Sequence, residues 1–169
     1  MLNIVESLRD EGIEPKTFES GVTGVHVSAN AIKYNDDSCF ISLNEDNQFW
    51  GIDFTREIAI YGYQIKSSYE CDWVSNWTLY ISINNENWIL VDAQSGGYPG
   101  DKLFILKRIF NTRYAKIIGN APGCPYNKEL AFYKVKFYGS THPIKNSIKS
   151  CKTKWKVNAL AMVSFLLSK

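Results

Sequence analysis

The chain has 169 residues, 45% of them hydrophobic and 14% aromatic, and a formal net charge of +2. That length supports one domain with a sizeable core but is short for two. With basic and acidic residues interspersed, the small net charge excludes a long-range field built for nucleic acid or an anionic membrane as the main partner.

Residues 2–11 predict a short amphipathic helix with Leu2, Val5 and Leu8 on one side, ended by Gly12 and then Pro15. We expect residues 1–20 to form a helical lead-in to the domain. Glu6, Arg9, Asp10 and Glu11 interrupt the window that a secretory signal would keep apolar. The expected location is therefore cytoplasmic, with extracellular placement the alternative.

From Val22 the texture changes to alternating runs. Eight candidate strands follow: VTGVHVSA, FWGIDF, EIAIYGYQIKSS, NWTLYISI, NWILVDA, KLFILKRIF, RYAKIIG and LAFYKVKFYG. Turn chemistry separates them at 44–48, at Asn84-Asn85-Glu86-Asn87, at Gly96-Gly97-Tyr98-Pro99-Gly100 and at 121–127. No helical pattern intervenes, so a parallel βαβ sheet is disfavoured and an all-β, antiparallel eight-stranded jelly-roll sandwich is expected over 21–139. Period-two alternation puts Trp77, Leu79, Ile81 and Ile83 on one core face, with Thr78, Tyr80 and Ser82 opposite, and groups Trp50, Ile52 and Phe54. Apolar residues occupy both parities around Gly62, which marks it for a β-bulge.

After Gly139 the alternation stops, and 140–169 reads as a C-terminal tail, basic and then apolar. Its apolar end, VNALAMVSFLL, is well below the roughly 20 residues that a membrane-spanning helix needs. It is expected as a short helix packed on the domain or a partner. Membrane-surface contact, prepared by Lys145, Lys149, Lys152, Lys154 and Lys156, is the alternative.

Cys39, Cys71, Cys124 and Cys151 include no CxxC pair, so neither a zinc site nor a dithiol is suggested, and free thiols are expected. In a secreted protein Cys71 and Cys124 would be the pair to bridge, because both fall in turn-like segments. His26 and His142 are the only histidines. His26 is expected on the first strand and His142 in the tail. No GxSxG, HExxH, Walker or GxGxxG pattern occurs, and the chain is expected not to be an enzyme.

The ordered series FWGIDF, IAIYGYQIKSS, NWTLYISINNENWILVD, RYAKIIG and LAFYKVKFYG resembles the discoidin-like family, the coagulation factor 5/8 C-type domain with the galactose-binding-like jelly-roll fold. The likeness covers Gly21 to Gly139. It implies that Trp77 and Trp88 belong to a structural core hairpin and that the Asn76-Trp77-Thr78 sequon is fortuitous. The preceding segment is similar to that found before such domains in intracellular multidomain proteins of unicellular eukaryotes, often beside BTB-type adaptors. Extracellular members often tie their ends by a disulfide; here no cysteine lies near Gly21, which agrees with an intracellular placement.

A binding module needs polar and aromatic side chains on loops held by a rigid sandwich. KYNDDSC supplies Asn35, Asp36 and Asp37, SSYECDWVSN supplies Tyr69, Asp72 and Trp73, and APGCPYNKE supplies Tyr126. Sugar-binding members of the resembled family use an Asn-Asp pair, an aromatic with an arginine, and a late tyrosine. Asn35-Asp36, Trp73 and Tyr126 match in type and order, whereas Lys66 stands where the arginine is wanted. Each residue also has a purely structural reading: Asp36 and Asp37 as turn formers, Trp73 as a cover over the core end, Tyr126 as a turn closure. No cofactor is expected; calcium held by acidic loop residues is the alternative, without a DxDxDG run to support it. The expected function is a non-catalytic protein-interaction domain of an intracellular multidomain protein. The alternative is a carbohydrate-binding, lectin-like or cell-adhesion module.

Overall fold

The computed structural model describes residues 1–33, 38–66, 74–95, 102–122 and 129–145, with backbone only at 74–75 and 120–122. Helix α1 (Ile4–Asp10) starts where the Asn3 side chain accepts a hydrogen bond from the Val5 amide at 3.2 Å. Ile4, Val5 and Leu8 are buried, whereas Leu2, expected on that face, precedes the helix and is 54% exposed. Glu11 ties the helix end to the body through Arg56, whose Nε donates to the Thr141 carbonyl at 2.9 Å. Hydrogen bonding from Thr141 and then the Arg56 guanidinium hold the Glu11 carboxyl below its usual range.

The strands are β1 (Lys16–Glu19), β2 (Phe40–Ile41), β3 (Phe49–Lys66), β4 (Val74–Ser82), β5 (Ile89–Gln94), β6 (Leu103–Pro122), β7 (Ala131–Phe132) and β8 (Lys134–Ser140). A 3₁₀ turn spans Ser28–Ile32. The expected first strand, VTGVHVSA, is therefore not one. Gly24 sits at φ +59°, Val25 is 81% exposed and His26 lies beyond the turn. The left-handed Gly24 lies in a turn there, in which the His26 amide donates to the Thr23 carbonyl at 3.3 Å. The edge position is filled instead by β1, from the segment expected as a lead-in.

FWGIDF and, from the next run, EIAIYGYQIK are two halves of one strand, β3, and LFILKRIF and RYAKIIG belong to the two halves of β6. Both strands bend. In β3 the register with β6 shifts between Asp53 and Ile58, where Thr55 takes φ +67° and its amide donates to Asp53 Oδ1 at 2.7 Å. A second shift falls between Ile60 and Gly62, at the glycine expected to mark a bulge. A Cβ on Gly62 would lie 2.9 Å from the Phe104 carbonyl oxygen, so a side chain has no room there.

Among the described residues all strand pairings are antiparallel. Phe49–Asp53 of β3 joins β1 on one side and Tyr114–Ile118 of β6 on the other, and that half of β6 continues through β4 to β5. Ile58–Lys66 of β3 joins β8 and Leu103–Thr112 of β6. The long strands thus fold the sheet into a larger and a smaller layer that face each other as a β-sandwich. Trp50, Ile52, Phe54, Trp77, Leu79 and Ile81 point into it as expected, whereas Ile83 lies past the end of β4 and is 58% exposed. Ring contacts span the layers: Trp50 stacks on Phe137 at 6.4 Å, and Trp77 meets Phe104 edge-on at 5.2 Å. The β2–β7 ribbon closes one side, with Phe132 packed 5.7 Å from Trp50. Trp88 departs from the core-hairpin expectation: it is half-buried and contacts Lys116 and Phe18, which point away from the core.

Candidate functional site at the open end of the sandwich

All seven expected ligand residues, Asn35, Asp36, Asp37, Tyr69, Asp72, Trp73 and Tyr126, lie outside the described residues. So do Cys71, Cys124 and Cys151 and the tail from 146 onward. The described strands nevertheless fix where most of these loops attach. Residues 67–73 leave from Lys66 and return at Val74; residues 123–128 leave from Pro122. Val74 pairs with Pro122, and Lys66 pairs with Lys134. Because β3 and β6 bend midway, their far tips come together at the end of the sandwich opposite the bend. The Trp77–Phe104 contact confirms it, since one ring starts β4 in the larger layer and the other starts β6 in the smaller. Lys33, from which 34–37 departs, lines a shallow cleft with Lys134 at this same end. Gln94 and Leu103, which flank 96–101, pair with Trp77 and Gln64 here too.

Beneath these attachment points runs a polar chain. Trp77 Nε1–H donates to the Tyr63 hydroxyl at 2.9 Å; the hydroxyl donates to Asp92 Oδ2 at 2.6 Å; Gln94 Nε2 donates to the same oxygen at 2.9 Å. Tyr63 is fully buried and stacks on Phe104 at 5.1 Å, with the Lys102 ammonium 5.4 Å from that ring. Burial, reinforced by the hydrogen bond to the Asp92 carboxylate, pushes the Tyr63 phenol far above its ordinary range. The network fixes the floor of this end: the Tyr63 and Trp77 rings each pack on Phe104 and are held by a hydrogen bond as well.

Sequence reasoning missed this floor. One signal was available: Asp92 follows three apolar residues and shares the inward parity of Leu79, and a carboxylate facing a core requires a partner. Lys66, standing where the resembled family has an arginine, is half-buried beside Lys134, and its carbonyl accepts from the Tyr133 amide at 2.8 Å. Among the described residues no three His, Cys, Asp or Glu side chains gather to hold a metal ion, and no helix is long and apolar enough to cross a membrane. The Cys39 Sγ lies 3.2 Å from His26 Nδ1.

No family model and no curated protein matches the sequence. Solved structures do match. The chitosan-binding module 1 of a chitosanase/glucanase from Paenibacillus sp. IK-5 aligns with a TM-score of 0.69 at 16% identity, over 82% of this chain and 100% of that one. Module 2 of the same enzyme, in complex with chitotriose, gives 0.67 at 15%, over 75% and 98%. The family 32 carbohydrate-binding module of NanJ from Clostridium perfringens, in complex with galactose, gives 0.67 at 11%, over 80% and 96%. The likeness spans nearly the whole of each module, and the chain has their discoidin-like, galactose-binding-like β-sandwich fold.

Proposed function

We propose that this domain is a non-catalytic carbohydrate-binding module whose site lies at the open end of the sandwich. The observation that supports it most is the fold likeness to modules solved with galactose and chitotriose, which extends over almost their full length. The convergence of the loop attachments agrees with it, because loops that share one end of a rigid sandwich can bring distant side chains onto one ligand. Between the two readings drawn from the sequence, this favours the carbohydrate module over the protein-interaction domain. Trp73 would stack on a sugar ring while Asn35 and Asp36 accept and donate to its hydroxyls, and Tyr126 would close the other side.

A glycan array probed with the wild-type domain and with Trp73→Ala, with and without calcium, tests the reading. Both proteins must first unfold cooperatively at similar temperatures. Binding by the wild type that falls by roughly tenfold or more in the variant supports the site, since a stacked aromatic contributes on the order of 1.4 kcal/mol or more. Silence of the folded wild type across the array overturns it.

A further inference from the structure

The outer surface of the larger layer is unusual for a face with no covering element among the described residues: its middle is made of rings around one ammonium group. The ring of Phe18 of β1 packs over Gly51 of β3, so close that a Cβ on Gly51 would come within 2.4 Å of it. Next to Gly51 in the sheet stands Lys116 of β6, and beyond it Tyr80 of β4. Trp88 leans back over this row, its ring centroid 4.2 Å from the Lys116 ammonium, while the Phe49 ring is 5.4 Å from it. Phe18 links the two, 6.2 Å from Phe49 and 6.5 Å from Trp88. All five side chains are half-buried.

The charge on this face is one-sided. Asp53 points the same way but is taken: it accepts from Arg113 Nε at 2.9 Å and Nη2 at 3.0 Å, and from the Thr55 amide. Lys16, opposite Asp53 in register, adds a second cation, this one exposed. Among the described residues Lys116 enters no ion pair; its neighbours are ring faces. A partly desolvated ammonium with only π partners gains more from an anion than a fully hydrated surface lysine does.

We infer that this face is a second saccharide site, separate from the open end, and that it takes sugar units bearing a carboxylate. Trp88 and Phe18 offer apolar surface to the C–H face of a sugar ring, Lys116 meets the carboxylate, and the Tyr80 hydroxyl is placed to reach a ring hydroxyl. The choice of a saccharide rests on the proposed carbohydrate-binding function; the choice of an acidic one rests on the charge of this face alone.

The test is calorimetric titration of the whole chain with tri-galacturonic acid and, separately, with neutral chitotriose. The variants are Lys116→Gln, Lys116→Arg, Trp88→Ala and Trp73→Ala. The expected result is binding of the acidic trimer that weakens tenfold or more in Lys116→Gln and Trp88→Ala, survives in Lys116→Arg and is unchanged in Trp73→Ala. If Trp88→Ala does not fold, Lys116→Gln decides, since it keeps the packed stem of the side chain. Acidic trimer bound equally well by Lys116→Gln, or not bound by the wild type, overturns the inference. Self-association of the wild type that Trp88→Ala abolishes in sedimentation overturns it also, by assigning the face to a second copy. Binding of chitotriose that depends on Trp73 leaves the open-end function standing in each case, and loss of both ligands removes both.

Discussion

Tyr63 ties the two layers together at the open end. Among the described residues its hydroxyl is the partner of the buried Trp77 Nε1–H, and it donates to Asp92 Oδ2 beside Gln94 Nε2. In Tyr63→Phe the indole N–H is left without a partner, which costs about 1–3 kcal/mol on top of the lost hydrogen bond. The same residue sets a pH dependence. Its phenol is held protonated far above its ordinary range in the folded state and titrates near pH 10 in the unfolded chain. Above that pH the folded state keeps a proton that the unfolded state has lost, so the stabilisation is complete below about pH 10 and declines as pH rises further. Urea melts between pH 8 and 11 should show wild-type stability falling more steeply than that of Tyr63→Phe in the alkaline limb. Parallel curves would show that Tyr63 ionises as freely in the fold as out of it.

The elements show how far local sequence reached. Helix α1 has seven residues, too few to persist alone, so it exists because Ile4, Val5 and Leu8 join the core. Leu8→Ala should therefore cost about 2–5 kcal/mol, read as a lower urea midpoint with an unchanged slope. A loss under about 1 kcal/mol would mean that the helix is a detachable lead-in. Strand parity was legible: Trp50, Ile52, Phe54 and the Trp77 series alternate as a half-buried sheet demands, and Gly62 announced its bulge. What misled was continuity. Thr55-Arg56 and Asn111-Thr112 read as polar breaks, but the backbone runs on through both and only bends. KTFE was passed over because its one apolar residue, Phe18, faces outward over Gly51, and no inward alternation marks an edge strand of four residues. VTGVHVSA showed the alternation without the strand, since Gly24 turns the chain. The loop residues were legible only by type and order. Where the flanking strands end depends on bends in β3 and β6 that no local pattern encodes.

At the scale of the molecule those bends decide how the two layers share their stability. β3 and β6 each contribute one half to the larger layer and the other half to the smaller, so neither layer can dissolve without breaking strands of the other. The core is likewise one cluster, running from Ile4 and Leu8 through Trp50 and Trp77 to Phe104 and Phe137. Separate unfolding of either layer would expose the inner face of its partner, and with it most of the apolar surface that holds the fold. The expected behaviour is a single transition in urea. Tryptophan fluorescence, which senses Trp50 and Trp77 inside the sandwich, should coincide with far-ultraviolet circular dichroism, which senses both layers together. Refolding should be slow, on the order of milliseconds to seconds, because β8 reaches β3 and β4 reaches β6 across long stretches of chain. Two separated transitions, one in fluorescence and one in dichroism, would instead show that the bends at Thr55 and Thr112 act as hinges between independently stable layers. The open end, which draws its floor from Tyr63 in one layer and from Trp77 and Asp92 in the other, would then lose its geometry before the fold as a whole was lost.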